Sequence, residues 1–147
     1  MFMICLYWKP IEGTLWSFSN SFIQAILITV HISGWLLAVL STFFINHFEL
    51  FGLQQVYCKY MNKHEPPLVF TERFMYRIVR HPLQLGVLIG LWVIPTMTMT
   101  HFVLATGMTI YIFIGLYFEE KDLVKTLGHK YSDYQTRVNK LCPIFKF

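Results

Sequence analysis

Two long stretches, Gly13–Phe48 and His81–Phe118, hold no Asp, Glu, Lys or Arg, and the apolar residues of the chain concentrate in them. A soluble helix carries charge on its outer face every few residues. Segregation of this kind belongs to helices in hydrocarbon, where charge is costly and is pushed to the ends of the spans. The first stretch predicts a span from about Ser21 to Ile45. At roughly 1.5 Å per residue it covers roughly 37 Å, enough to cross a ~30 Å hydrocarbon core with some tilt. It carries Gln24 and His31, and Ser33-Gly34 is a small-residue point where another helix can approach. A helical continuation is expected over 51–57, ended between Asn62 and Pro67, because Pro66-Pro67 cannot extend a helix.

The second stretch predicts two shorter spans, Leu83–Thr96 and Phe102–Phe118, each roughly 21–26 Å long and joined by a hairpin around Pro95 to His101. Before them, Thr71–Arg80 reads as a short amphipathic helix with Thr71 as its N-cap. Spacing at i, i+4 and i+7 puts Arg73, Arg77 and Arg80 on one face of it. His81-Pro82 ends that element and starts the next, since proline suits the first helical position. In the tail, Leu116, Glu120, Leu123, Leu127, Tyr131, Tyr134 and Val138 share one face, interrupted at Gly128. A helix leaving the membrane, a glycine bend and an interfacial helix are expected there. The fold class is therefore all-α: a polytopic integral membrane protein with about three transmembrane helices plus interfacial amphipathic helices, in a single domain over residues 1–147.

Composition agrees: 55% of residues are hydrophobic, 18% aromatic and 14% charged, against about a quarter charged in soluble domains. The net charge of +4 comes from residues flanking apolar spans, so a lipid bilayer, not nucleic acid, is the expected partner. Five Lys and Arg lie between Asn46 and His81, six follow Phe118, one precedes the first span and none sits at the hairpin tip. A multi-pass topology with the basic loop and the C-terminal tail cytosolic follows. Cys5, Cys58 and Cys142 have neither disulfide-framework nor metal spacing, and no metal site is expected. Met1–Trp8 is apolar and aromatic, as the tail of an earlier hydrophobic segment would be, so the chain is expected to be shorter than its relatives.

The hairpin brings chemistry together. Arg80-His81 stands just before the second span and Glu119-Glu120 just after the third, so both doublets reach the same membrane face. The N-terminus of the helix begun by Pro82 joins them, with free N–H groups suited to a carboxylate or phosphate. Carboxylates can accept from ribose hydroxyls. The residues leave two readings open: ordinary anchors at span ends, or a site for a polar ligand with an amino-acid end and a nucleoside end. Adjacent glutamates lie ~100° apart on a helix, and Glu120 shares the apolar face, so Glu120 is expected to point inward. His31 is expected to be a hydrogen-bonded packing residue and His101 an interfacial one. Trp16, Trp35 and Trp92 are expected to anchor or pack.

The string Tyr76-Arg-Ile-Val-Arg80-His81-Pro82-Leu-Gln-Leu-Gly86, then Glu119-Glu120-Lys-Asp-Leu123, then Leu127-Gly128-His-Lys-Tyr131-Ser-Asp-Tyr134 with Arg137-Val138, resembles the isoprenylcysteine carboxyl methyltransferase-like membrane proteins. Residues 41–57 and 92–98 are similar to the nurim-type branch, which includes bacterial methanethiol S-methyltransferase. Gln84 stands where the pattern has tyrosine, Leu127 where it has phenylalanine, and Asn139 where proline often follows Arg-Val. The resemblance implies S-adenosylmethionine-dependent methyl transfer to a small thiol. It assigns Arg80 and His81 to catalysis and to the methionine end of the donor. Pro82, Gln84 and Gly86 allow its close approach, Glu119 and Glu120 hold ribose or adenine, and Tyr131 and Tyr134 close the site. Gln54, Tyr76 and Arg77 are expected on the substrate side. A nurim-like structural protein without turnover, and a carboxyl methyltransferase acting on prenylcysteine, are the alternatives.

Overall fold

The computed structural model of the chain describes residues 9–44, 60–61 and 74–142. Gln54, the continuation over 51–57, the break at Pro66-Pro67, the Thr71 cap, Arg73, Cys5 and Cys58 lie outside the described residues. Strand β1 (Thr14–Ser17) leads into helix α1 (Ser21–Phe44). A single 3-10 turn, Phe74–Arg77, precedes helix α2 (Pro82–Trp92); strand β2 (Thr96–Thr98), helix α3 (Met99–Leu127) and helix α4 (His129–Arg137) complete the order.

Helix α1 begins where Asn20 Oδ1 accepts from the N–H groups of Phe22 and Ile23 at 2.9 and 3.3 Å. Its hydroxyls return to its own carbonyls, Thr29 to Ala25, Ser33 to Thr29 and Ser41 to Leu37. No polar side-chain group of these three is left to lipid. Helices α1 and α3 are each long and apolar enough to cross a membrane, and only 11% and 17% of their most apolar windows are buried inside the protein. Core helices of a soluble domain would be covered; these present Phe22, Ile26, Ile32, Leu36, Phe43, Ile110, Phe113 and Phe118 outward.

The second predicted span, Leu83–Thr96, is helical only as far as Trp92. Helix α2 has 11 residues, roughly 16 Å, too short to cross a ~30 Å core by itself. Two helices, not three, meet the length for crossing among the described residues. The chain leaves helix at Val93 and continues extended into β2, which pairs antiparallel with β1 in the register Trp16↔Met97 and Ser17↔Thr96. The described chain is mostly helical, as expected, and this short pair is an addition that the periodicity did not indicate. The isolated hairpin tip has too few residues to show strand periodicity, and its partner lies some eighty residues earlier in the sequence. Met97 is wholly buried under the pair. Trp16 Nε1 donates to the carbonyl of Ile94, and Thr98 caps α3 by accepting from the N–H of His101.

Helix α2 is seated on α1 by backbone contact. A Cβ on Gly86 would lie 2.5 Å from the Gly34 carbonyl oxygen and 2.6 Å from the Ala38 nitrogen. A Cβ on Gly34 would lie 2.7 Å from Ile89 Cγ2 and 2.9 Å from the Gly86 oxygen. Small residues four apart on both helices therefore allow the crossing, the packing mode expected where no hydrophobic effect drives helices together. The Ser33-Gly34 expectation is met at Gly34. Trp35 covers Gly90, with its indole 2.7 Å from where a Cβ would stand. The predicted bend is at Gly128, whose φ of 58° favours glycine, and α4 folds back from it.

Candidate functional site

Proline at the first position of α2 fixes where that helix starts and leaves Arg80 and His81 in non-helical backbone just before it. Arg77 and Arg80 do not share one helical face, and Arg73 of the predicted set lies outside the described residues. The 3-10 turn stops at Arg77, and Val79 then pairs in parallel with Asn139. Arg77 is exposed and Arg80 buried as a result. Pairing with the chain beyond α4 sets the two residues: Arg80 N–H donates to the Asn139 carbonyl at 2.8 Å, and His81 N–H to the Lys140 carbonyl at 3.1 Å.

Their side chains meet Glu120 from α3. Arg80 Nε lies 3.0 Å from Glu120 Oε1, His81 Nε2 lies 3.2 Å from the same oxygen, and Lys140 Nζ lies 2.9 Å from Oε2. Arg80 Nη1 also donates to the carbonyl of Gln135 on α4. Arg80, His81 and Glu120 are each no more than 9% exposed. An isolated ion at such burial is strongly disfavoured, so the Arg80 guanidinium and the Glu120 carboxylate need each other. Glu119 takes the other side of the helix, half-exposed, with Oε1 3.8 Å from His81 Nδ1. The inward Glu120 and outward Glu119 are as the helical face predicted.

The remaining expected residues fall into three groups. Pro82 is fully buried, Gly86 sits in the α1 crossing, and Gln84 is half-buried on the first turn of α2. Tyr131 and Tyr134 are 2% exposed and form a core with Val138, against which Leu123, Val124 and Leu127 pack. The Tyr134 hydroxyl donates to the Tyr76 carbonyl, locking α4 onto the 3-10 turn. Burial first, and the Glu120 charge second, push the Tyr131 phenol upward. Tyr76 is half-buried; burial, with the nearby charge of Glu119, pushes its phenol up to about 12. His31 packs edge-on against Trp35, and its Nδ1 has no hydrogen-bond partner, which corrects the expected hydrogen-bonded role. His101 Nε2–H donates to the Leu91 carbonyl at 2.8 Å, and Trp92 Nε1 donates to Thr109 Oγ1.

Lys140 was not expected. Helical spacing could not reveal it, because the residues from Val138 onward are extended and α4 has already ended. The departure at Asn139 was the one local signal: proline there would leave no difference to the carbonyl that Arg80 uses, so even that signal was mute.

The set can hold a ligand with hydroxyls and an anionic end. Glu120 Oε2 meets Lys140 alone while Oε1 meets both Arg80 and His81, so Oε2 retains accepting capacity. No side chain caps the first turn of α2, which leaves N–H groups and the positive end of the helix for an anion. Among the described residues there is no His, Cys, Asp and Glu grouping fit for a metal.

Fold and cluster together define a helical membrane protein with a charged site buried where the short helix and the long one begin to diverge. Comparison with known proteins narrows the class. Over 143 residues the chain is 42% identical to methanethiol S-methyltransferase of Crocosphaera subtropica, covering 97% of this chain and 56% of that protein. It is 39% identical over 143 residues to methanethiol S-methyltransferase of Mycobacterium tuberculosis, covering 96% and 59%. Nurim of Danio rerio is 27% identical over 124 residues, covering 79% and 45%. The resemblance to methanethiol S-methyltransferases, with nurim as a more distant relative, is thereby established over nearly the whole of this chain. The chain spans about half the length of these curated relatives. No family model matches the chain, and no solved structure matches it.

Proposed function

We propose that the chain carries the donor site of an S-adenosylmethionine-dependent methyltransferase acting on a small thiol of the methanethiol type. The observation that supports this best is the burial of Arg80, His81 and Glu120 as one ion cluster, in a chain similar to methanethiol S-methyltransferases. When bound, the donor supplies an electrophilic methyl group on a sulfonium, open to in-line displacement by a thiolate sulfur. The residues of the chain bind, orient and take a proton.

The amino-acid end of the donor is assigned to the uncapped first turn of α2 at Pro82–Gln84, beside Arg80 and His81. Glu120, with Glu119, takes the ribose or adenine. With Nε2–H of His81 donating to Glu120, Nδ1 is left as an acceptor on the half-exposed Glu119 side. That nitrogen is placed to receive the thiol proton. The Arg80 guanidinium favours thiolate nearby. Positioning of this kind can supply roughly 7–11 kcal/mol of the barrier reduction. Tyr131 and Tyr134 act by locking α4 behind the cluster. The basic loop and tail are assigned to the cytosolic face, so the donor enters from water and an apolar thiol through the bilayer.

The test is direct. Purified chain incubated with labelled donor and methanethiol is expected to yield labelled dimethyl sulfide. No product together with no donor binding would remove the reading. The similarity to nurim supports a second reading, a scaffold without turnover, which predicts that second result.

A further inference from the structure

The Glu120–Lys140 pair differs from the other contacts of the cluster. Arg80 and His81 side chains are 7% and 5% exposed, whereas the Lys140 side chain is 25% exposed. Arg80 is further committed to the Gln135 carbonyl. Glu120 Oε2 and Lys140 Nζ, 2.9 Å apart, therefore form the edge of the cluster that a ligand can reach. The edge presents an acceptor and a donor side by side. An ammonium carries three N–H groups, and one contact to Oε2 leaves two for a ligand. The Lys140 main chain is fixed at the same time, because its carbonyl accepts from the His81 N–H. The backbone of Lys140 is thus anchored while a quarter of its side chain stays exposed.

A vicinal diol matches such an edge: one hydroxyl donates to the carboxylate while its neighbour accepts from the ammonium. We propose that Lys140 is a ligand-contacting residue that, with Glu120, grips the two ribose hydroxyls of the donor. This rests on the donor-site reading above and adds to it a residue and a division of labour between the hydroxyls. Lysine suits the role because its ammonium can turn between the carboxylate and the ligand.

The test measures binding, not turnover. The detergent-solubilised chain is titrated by calorimetry with S-adenosylhomocysteine and with its 2′-deoxy and 3′-deoxy analogues. For the native chain, removal of either hydroxyl is expected to weaken binding about tenfold, the scale of one hydrogen bond to a charged group. Lys140→Met is expected to weaken S-adenosylhomocysteine about tenfold and to abolish the penalty for losing one of the two hydroxyls while keeping the other. Lys140→Arg, which keeps the charge and donors, is expected to restore most of the affinity and guards against misfolding of the first variant. Equal weakening of all three ligands by Lys140→Met would make Lys140 a tether of the tail and overturn the proposal, as would no weakening at all. A native chain that binds none of the three ligands would overturn the donor site itself along with it.

Discussion

The two ends of the α2–α3 pair are held differently. At the end near the strands, Trp92 Nε1 donates to Thr109 and His101 meets the Leu91 carbonyl, and Trp92 stacks edge-on against Phe102. None of these five residues is an Asp, Glu, Lys or Arg. At the other end Arg80, His81 and Lys140 crowd around the Glu120 carboxylate. Neutral hydrogen bonds and small-residue contact are enough to seat α2. The charged end holds more than packing requires, and buried ion clusters are weak sources of stability against apolar alternatives. That surplus is what the donor-site proposal accounts for.

The largest effect should come from the crossing that both ends depend on. Gly86→Leu would drive a side chain into the backbone at Gly34 and Ala38. A loss of about 3 kcal/mol or more is expected, read as a fall in folded yield and in the thermal midpoint in detergent. An unchanged midpoint would show that α1 and α2 are not in backbone contact. Next comes Glu120→Gln, which keeps the shape but removes the charge that Arg80, His81 and Lys140 share. Donor affinity and methyl transfer are each expected to fall at least about tenfold, as the loss of one charged hydrogen bond implies. Unchanged turnover would dissolve the contrast between the two ends and leave the fold standing. Trp92→Phe is the matching change at the neutral end. It should lower stability by about 1 kcal/mol with transfer retained, and a comparable loss of transfer would show that the two ends act as one unit.

The smallest effect concerns Tyr76. Its phenol, raised to about 12 by burial and then by Glu119, stays protonated in the folded chain where the unfolded chain has already ionised. Stability from this group is therefore complete below about pH 10 and lost as pH rises towards 12. Spectroscopic titration of the phenolate band should show Tyr76 ionising later than exposed tyrosines, and Glu119→Gln should bring it earlier. No change on that substitution would place Glu119 away from the 3-10 turn.

The face from Leu116 through Glu120 to Val138 was readable because side chains on one helix follow a local period, and a glycine bend announces itself by residue type. The convergence of Arg80-His81 with Glu120 was readable because a short connection forces antiparallel neighbours. Other features were hidden for physical reasons. The shortness of α2 was masked by the uncharged run of residues 93–97, which suits an extended segment as well as a span. The β1–β2 pair and the Val79–Asn139 bridge join residues remote in sequence, and nothing in either partner alone specifies the other.

The sequence by itself determined which segments avoid water, which helical faces turn inward and which charged doublets share an end, because each depends on period, composition or a short loop. Only the tertiary structure decided that the chain after α4 returns to pair with Val79–His81, carrying Lys140 to Glu120. That contact depends on the angle at Gly128 and on the packing of Tyr131 and Tyr134, and such geometry exists only once the helices have docked.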